Sequence, residues 1–293
     1  MIDERGYFWQ PGRDGLVGVE IDIVMSRAEV CEIRRPFDPR IVKAYVNFLQ
    51  ACRNRDIATV NGHPFLLEVC QDKHLSHLVV EEVLREHGVH NPRTLFFASR
   101  KALERTLPAL RFPLVLKDPY GTLGRGIHPV ADAGELAGRL AGRHFPLLLQ
   151  ELVEKTCNDQ GEYLATRVVV GREPLGERPI VLCFYTQCSR SFTTNLGDGG
   201  RVGRGAADPA LLACSLAILE RVQADLLAVD YLIDSRGRRV FLEINHAPGT
   251  SEQTLELKPD LWERVVELGI ERWRRGFRLP LPASVTGPPQ AGD

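Results

Sequence analysis

The sequence contains no long hydrophobic segment, and neither sign of charge is in excess. No run approaches the ~20 consecutive apolar residues that a membrane-spanning helix needs. Lys and Arg total 37 and Asp and Glu total 38, which gives a formal net charge of -1. Because such a chain has no overall basic field to attract nucleic acid or an anionic membrane, we expect neither as a partner.

Paired cysteine motifs are also missing. The seven cysteines are scattered, and the nearest pair, Cys183 and Cys188, has no companion pair elsewhere and lacks the spacing of a zinc or redox motif. The first 15 residues, MIDERGYFWQPGRDG, are charged and lack the apolar stretch of a signal peptide. Scattered cysteines suit a reducing compartment, so we expect a cytoplasmic protein.

Apolar and polar patterns predict an α+β protein of several lobes. Residues 16–24 and 57–60 have the apolar character of strands, and the stretch 38–53 between them opens with Asp38 and Pro39, a typical helix start. This β-α-β pattern predicts a small α/β lobe. The expected divisions are an N-terminal α/β lobe at 1–71, a central lobe at 72–146, a C-terminal lobe at 147–277 and a flexible tail at 278–293.

A glycine-rich turn joins two apolar runs in FPLVLKDPYGTLGRGIHPV, residues 112–130. Dinucleotide sites and P-loops need a helix directly after their glycines, and Pro129 excludes a helix here. The pattern therefore predicts a hairpin whose backbone N–H groups near Gly121, Gly124 and Gly126 can surround phosphate oxygens. Lys117, at the end of the first strand, can reach the same phosphates. A hairpin with a purely structural role is the alternative.

A second polar feature ends the apolar strand FPLLLQELV at residues 145–153. The strand carries Gln150 and Glu151 at its end, and the backbone of Glu151, Leu152 and Val153 could hydrogen-bond an adenine ring. Alternatively, the two polar residues only mark where the strand leaves the core. Glu162 begins the next strand and faces either the same cleft or solvent.

Two carboxylates and a carboxamide interrupt the apolar hairpin LLAVDYLIDSRGRRVFLEINHAPG at residues 226–249. Residues two apart on a strand share a face, so Glu243 and Asn245 point together. If the chain folds back at 234–237, Asp230 lies beside them. Buried carboxylates need partners, and a Mg²⁺ ion bound by oxygen ligands meets that need. An internal arginine, Arg238 or Arg239, is the alternative partner.

The order of these motifs resembles that of the ATP-grasp enzymes. It runs from Lys117 and the glycine loop through the QELV edge and the FTTN segment to VD…FLEINHAPG, within residues 72–275. The pattern is most similar to the branch that holds the ribosomal-protein glutamate ligase, the lysine-biosynthesis carrier-protein ligases and prokaryotic glutathione synthetase. The resemblance implies an ATP-grasp fold of two α+β lobes that hold ATP between them, preceded by the small α/β lobe.

The resemblance also implies roles for individual residues. Lys73 and Lys117 would contact the ATP phosphates, and the glycine loop would close over the γ-phosphate. Gln150 and the edge from Glu151 to Val153 would hold adenine, and Glu162 the ribose. Two Mg²⁺ ions, with Mn²⁺ as a possible substitute, would bind Asp230, Glu243 and Asn245. Asn195 would assist at the transferred phosphate.

A basic, glycine-rich stretch within 185–204 is the expected site of substrate recognition. Its arginines suit a carboxylate group, and the glycine-rich part GDGGRVGRG at 197–205 is typical of a mobile loop, although a solvated basic loop is the alternative. The candidate catalytic residues are Arg190, Asn195 and Arg204. Threonines at 193 and 194 replace the basic residue of relatives, and His246 replaces a small or hydroxyl residue. These departures leave the substrates open.

The expected function is that of an ATP-dependent ligase. It would activate a small-molecule or peptide carboxylate as an acyl phosphate and join it to an amine, releasing ADP and phosphate. The alternatives are an ATP-grasp kinase that phosphorylates a hydroxyl and a non-catalytic ATP-binding protein. A homo-oligomer is possible by analogy with relatives.

Overall fold

The structure of the protein is a computed structural model. No helix within the described part of the chain combines the length and apolarity that crossing a bilayer would demand. The residues described are 23–25, 47, 54, 58–61, 64–121, 126–173, 178–192, 200–203, 205–246, 256, 258 and 260–274.

Capping side chains determine where several helices begin. Asp72, Ser99, Asp132 and Asp208 each accept a hydrogen bond from a backbone N–H in the first turn of the helix that follows. These bonds satisfy N–H groups that have no partner inside the helix. The helices in the described residues are α1 (Pro64–Gln71), α2 (Lys73–Glu86), α3 (Arg100–Thr106), α4 (Ala133–Arg139), α5 (Pro209–Arg221) and α6 (Leu261–Arg274).

The strands are rich in Val, Leu and Ile, as strands buried in a core are. They form three sheets, of two, four and five strands. The strands in the described residues are β1 (Ile23–Met25), β2 (Ala58–Val60), β3 (Thr94–Phe97), β4 (Leu114–Lys117), β5 (His128–Val130), β6 (Leu147–Glu151), β7 (Tyr163–Arg172), β8 (Pro179–Ser189), β9 (Arg201–Gly203), β10 (Leu226–Ile233) and β11 (Arg239–Asn245).

The five-stranded sheet has the order β11-β10-β7-β8-β9, and all its pairs are antiparallel. Alternate residues on β7 and β10 face opposite sides of the sheet. On one side, Val168 and Val229 pack against α1, α2 and α5, for example against Val80 and Ile218. The other side carries Asp230 in the middle of β10, and this side forms part of the cleft described below.

The four-stranded sheet has the order β3-β6-β4-β5, again with antiparallel pairs. Its core includes Phe97, Leu116 and Leu149, packed against Leu136 of α4. Strand β6 lies in the middle of this sheet, although the expected boundary at residue 147 placed it at the start of the C-terminal lobe. The pairing of β6 with both β3 and β4 therefore extends the central lobe to residue 151.

The side chain of Asn61, which is buried, links the end of β2 to the five-stranded sheet. Strands β1 and β2 pair in parallel, in keeping with the expected β-α-β pattern; most of the predicted helix at 38–53 lies outside the described residues. Asn61 follows β2 with a φ of 56°. Its side-chain amide donates to the carbonyls of Leu226 and His246, both at 2.7 Å, and its oxygen accepts from the N–H groups of Asp225 and Leu226.

The glycine-rich stretch at 197–205 was expected to be a mobile loop, but its described part includes a strand. Residues up to Ser189 belong to β8, and Arg201–Gly203 form β9, which pairs with β8. The expectation of a loop was wrong for Arg201–Gly203, because an edge strand can have the polar and glycine-rich composition of a loop. Residues 193–199 lie outside the described residues.

We predict that Asn61→Ala lowers the free energy of unfolding by about 3 kcal/mol, because it leaves buried backbone groups without partners. Alanine also fits a positive φ less well than asparagine. Chemical denaturation checks this value. Asn47→Ala, at an exposed position, is the control and should change stability by less than about 0.5 kcal/mol. Equal effects of the two substitutions would contradict the role of Asn61.

Candidate active site

A cleft of about 900 Å³ is lined by strands of both large sheets and by the first residue of α2. It contains basic residues, three acidic residues and an apolar portion that includes Val115, Leu232 and Leu242. Most of the predicted ATP and metal residues that are described line this one cleft. They are Lys73, Lys117, Gly121, Gln150, Glu151, Val153, Asp230 and Glu243.

Lys117 lies at the end of β4 and directs its ammonium group to a neutral partner. Its Nζ donates a hydrogen bond of 2.5 Å to Oε1 of Gln150, which is buried. The pKa of Lys117 is lowered to about 8, chiefly by burial; Glu243 opposes this shift, and Lys73 and Lys155 contribute to it. Burial destabilises the charged form of a lysine. A bound anion would favour that charged form again, so the Lys117 ammonium and an anion in the cleft would stabilise each other.

Lys73, the first residue of α2, contacts both the glycine loop and Glu243, one of the predicted metal ligands. Its Nζ donates to the carbonyl of Gly121, and its backbone N–H donates to the carbonyl of Pro119 at 3.0 Å. The same ammonium lies 3.8 Å from the carboxylate of Glu243. Residues 122–125 of the loop, including Gly124, lie outside the described residues, and Gly126 follows them with a φ of 76°.

Asp230 is bound by an arginine that the sequence did not single out as its partner. Arg167, opposite Asp230 on β7, donates from Nε to Oδ1 at 2.6 Å and from Nη2 to Oδ2 at 2.7 Å. Burial raises the pKa of Asp230, and Arg167 opposes this effect. Arg238 and Arg239, the partners considered from the sequence, instead pair with Asp234 and Asp208. An internal arginine is therefore present, but it comes from the neighbouring strand.

Glu243 and Asn245 share a face with Asp230, as the strand pattern predicts. Glu243 lies opposite Asp230, and Asn245 lies opposite Ala228. A bulge next to Asp230 places the consecutive residues Leu242 and Glu243 both in the cleft.

This donor set fits a hard divalent cation. The side chain of Glu243 is 41% exposed, whereas that of Asp230 is 8% exposed. Within the described ranges, no group of three or more His, Cys, Asp or Glu side chains could hold a metal ion. Two carboxylates and one carboxamide nevertheless supply the oxygen ligands that Mg²⁺ takes, and each carboxylate oxygen of Asp230 keeps a lone pair beyond its bond to Arg167. Of the two carboxylates, that of Glu243 is the more accessible.

Some of the predicted adenine and ribose residues line the cleft, and others do not. Glu151 ends β6 with its carboxylate 3.2 Å from the ring of His90, and Val153 lines the cleft. Glu162 is not among the described lining residues; it accepts hydrogen bonds from Asn158 and Arg201, which lower its pKa. Leu152 follows β6 but is also outside the lining.

The predicted catalytic residues are mostly outside the described part. Arg190 is exposed at the end of β8, and Asn195 and Arg204 lie outside the described residues. His246 is buried, which lowers its pKa to about 4, and its Nε2 has no hydrogen-bond partner in the described part of the chain.

Sequence reasoning did not single out Lys155, which lines the cleft with Gln187 and Phe192. Its Nζ donates to the carbonyl of Phe192 at 2.5 Å and lies 4.6 Å from the centre of that ring. Burial lowers its pKa to about 8. A single lysine in an irregular segment belongs to no periodic pattern. The signal that could have indicated Lys155 was its position two residues after Val153, at the end of the predicted adenine edge.

The model of the RimK-like ATP-grasp domain family matches residues 70–268. The chain belongs to this family. The alpha-aminoadipate–LysW ligase LysX of Sulfurisphaera tokodaii is 25% identical over 203 residues, which cover 67% of this chain and 65% of LysX. The chain thus spans about 65% of the length of the curated relatives it matches.

Solved structures of ATP-grasp ligases share the fold. The VanG D-Ala:D-Ser ligase of Enterococcus faecalis has a TM-score of 0.61 at 15% identity, covering 85% of this chain and 73% of VanG. The D-alanine–D-alanine ligase of Bacillus anthracis, solved with ATP, has a TM-score of 0.55 at 18% identity, covering 78% and 74%. At these identities the likeness establishes the ATP-grasp, α+β fold.

We predict that Arg167→Met destabilises the protein by about 3–5 kcal/mol, because it leaves the Asp230 carboxylate buried without its partner. Urea denaturation measures the loss. The control is Arg264→Met on α6, which removes an exposed ion pair with Asp260 and should cost about 0.5 kcal/mol or less. Similar losses for both variants would show that Arg167 does not compensate a buried charge.

Proposed function

We propose that this protein is an ATP-dependent ligase that joins a carboxylate to an amine through an acyl phosphate. The observation that carries the proposal is the arrangement of charge in the cleft. Lys117 from the four-stranded sheet and Lys73 from α2 line the cleft together with Asp230 and Glu243 from the five-stranded sheet, and Nζ of Lys73 lies 3.8 Å from the Glu243 carboxylate. Lysines suit phosphate oxygens, and the carboxylates suit the cation that accompanies them. An ATP molecule with bound Mg²⁺ has the charges that match both.

In the proposed complex, the base of ATP occupies the apolar part of the cleft. Val115 belongs to the four-stranded sheet, whereas Leu232 and Leu242 belong to the five-stranded sheet. An aromatic base between these side chains would remove apolar surface from water on both faces. The edge from Glu151 to Val153 would hydrogen-bond the base through its backbone.

The phosphates would extend toward Lys73, Lys117 and the glycine loop. Glu243 and Asn245, with Asp230 beside them, would hold Mg²⁺; two ions, as in the family expectation, form part of the proposal. When bound, Mg²⁺ neutralises negative charge on the phosphate oxygens. Lys73 donates to the Gly121 carbonyl and lies 3.8 Å from the Glu243 carboxylate. It is therefore suited to hold the glycine loop next to the phosphates.

The proposed reaction has two steps. A carboxylate oxygen of the acid substrate attacks the γ-phosphorus, the bond to the bridging oxygen breaks, and ADP leaves. The amine nitrogen then attacks the carbonyl carbon of the acyl phosphate, phosphate leaves, and the nitrogen loses a proton. The protein contributes position and charge, and its closed cleft protects the acyl phosphate from water.

For the substrates, we propose an amino acid or related acid and an amine on a small molecule, a peptide or a carrier protein. The names of the relatives support this class, since LysX acts on alpha-aminoadipate and LysW, and VanG joins D-Ala to D-Ser. Arg190, Asn195 and Arg204 remain the proposed residues for the transferred phosphate and the acid. A cytoplasmic location is part of the same proposal.

We predict that phosphate release from MgATP requires an acid and an amine together. A panel of amino acids and short peptides, tested singly and in pairs, would identify both, with the amide detected by mass spectrometry. Lys117→Met and Glu243→Gln should lower turnover at least about 100-fold, because each removes a group that contacts the phosphates or their cation. Both variants should keep a wild-type circular dichroism spectrum.

Lys101→Met and Glu104→Gln are the matched controls, since both residues are exposed on α3, and they should retain full turnover. A phosphorylated product without free phosphate would replace the ligase with a kinase. Wild-type turnover in Lys117→Met and Glu243→Gln would contradict the site.

We predict that ATP binding weakens as the pH rises above about 8. Burial lowers the pKa of Lys117 to about 8 in the free protein, and phosphate favours the charged amine. Below pH 8 the ammonium is already present, so affinity is constant; above pH 8 binding must take up a proton, and the Kd rises. Titration calorimetry between about pH 7.5 and 9.5 tests this. Lys117→Arg, which stays charged, should reduce the change of Kd with pH. An unchanged pH dependence in this variant would show that another group causes it.

A further inference from the structure

A chain of buried hydrogen bonds runs from Lys117 away from the cleft. Lys117 donates to Oε1 of Gln150, and Nε2 of Gln150 lies 2.9 Å from Nε2 of His77 and 2.7 Å from Oγ1 of Thr94. The other ring nitrogen of His77 lies 2.5 Å from Oδ1 of Asn91. His77 is 3% exposed and is not among the described residues that line the cleft. It therefore contacts no ligand there directly.

The chemistry of lysine determines the direction of every bond in this chain. An ammonium group only donates, so the oxygen of Gln150 must face Lys117 and the amide nitrogen must face His77. An amide nitrogen also only donates, so Nε2 of His77 must be the unprotonated acceptor. The ring proton therefore lies on Nδ1 and is donated to Asn91, whose amide nitrogen donates to the His77 carbonyl at 3.1 Å.

Thr94 completes the same pattern from strand β3. Its hydroxyl donates to the carbonyl of Pro92 at 2.9 Å, which leaves its oxygen free to accept from Gln150. The amide of Gln150 thus has two acceptors beside its nitrogen and one donor beside its oxygen. If the amide turned over, its nitrogen would meet the Lys117 ammonium and its oxygen would meet two acceptors, so one orientation is strongly favoured.

We propose that His77 is a positioning residue for ATP binding: through the amide of Gln150 it orients Lys117 toward the phosphates. This inference rests on the proposed function, in which Lys117 contacts ATP. It also assigns Gln150 to support of Lys117 instead of contact with adenine. Burial lowers the pKa of His77 to about 3, so the ring stays neutral and keeps its acceptor toward Gln150 at ordinary pH.

Two substitutions separate the two ends of the His77 ring. His77→Asn can keep the contact with Asn91 but has no acceptor near Gln150. His77→Gln places an amide oxygen close to the former Nε2 and can accept from Gln150. Thr94→Val removes the second acceptor from another strand and tests the same amide if His77→Asn does not fold. His87→Asn is the control, since His87 lies at the end of α2 and contacts only the Val83 carbonyl in the described hydrogen bonds of its ring.

The measurement is the Kd for MgATP and for adenosine, by competition with a fluorescent nucleotide on the full chain. We expect His77→Asn to weaken MgATP about tenfold and adenosine less than about twofold, because only the phosphates depend on Lys117. Thr94→Val should act in the same direction. His77→Gln should recover most of the MgATP affinity, which a general loss of packing would not permit. His87→Asn should bind both as wild type does.

Other outcomes would overturn the inference in distinguishable ways. Wild-type MgATP affinity in both His77→Asn and Thr94→Val would show that the amide does not position Lys117. A parallel loss of MgATP and adenosine would assign Gln150 to the adenine ring. If the wild-type chain binds no MgATP, the proposed function fails and the inference with it. If Lys117→Met weakens MgATP but His77→Asn does not, the inference alone fails.

Discussion

The ion pair between Arg167 and Asp230 constrains the centre of the molecule. Both side chains are largely buried, and burial of either charge alone would be strongly unfavourable. Their two-bond geometry requires that β7 and β10 pair in one register, because a shift by one residue would turn each side chain to the opposite face. The separate pairing of β10 with β11 places Glu243 opposite Asp230, so the ion pair fixes one of the two carboxylates proposed to bind the cation.

The cleft depends on a balance of charge between two sheets. The four-stranded sheet and α2 contribute Lys117 and Lys73, and the five-stranded sheet contributes the carboxylates and Arg167. Lys117 has a neutral amide as its hydrogen-bond partner instead of a carboxylate, and burial lowers its pKa. A lysine in this state gains from a bound anion. In the proposed complex, recognition of the phosphates would depend on the hydrogen bonds behind the cleft as well as on the charges that line it.

Much of the fold and part of the candidate site could be predicted from local patterns. The hairpin of β10 and β11, the capped helices and the α+β class follow from alternation and from capping residues such as Asp72 and Asp208. The family resemblance, which the match at 70–268 confirms, collected Lys73, Lys117 and Glu243 into one site. Arg167 and Lys155 were missed as cleft residues, because a single charged residue on a strand or in a loop has no periodic signal of its own.

The family, the fold class and the residue types expected at an ATP site could be recognised from the sequence, because these depend on ordered local motifs. Which charged groups meet depends on the three-dimensional packing of the chain. In the folded protein, Asp230 pairs with Arg167 and not with Arg238 or Arg239. Strand β6 lies within the four-stranded sheet, and His77 contacts Gln150, which in turn accepts from Lys117. These contacts join residues that are about 30 to 70 positions apart in the sequence. They depend on sheet register and on packing, and neither register nor packing can be predicted from the spacing of residues along the chain.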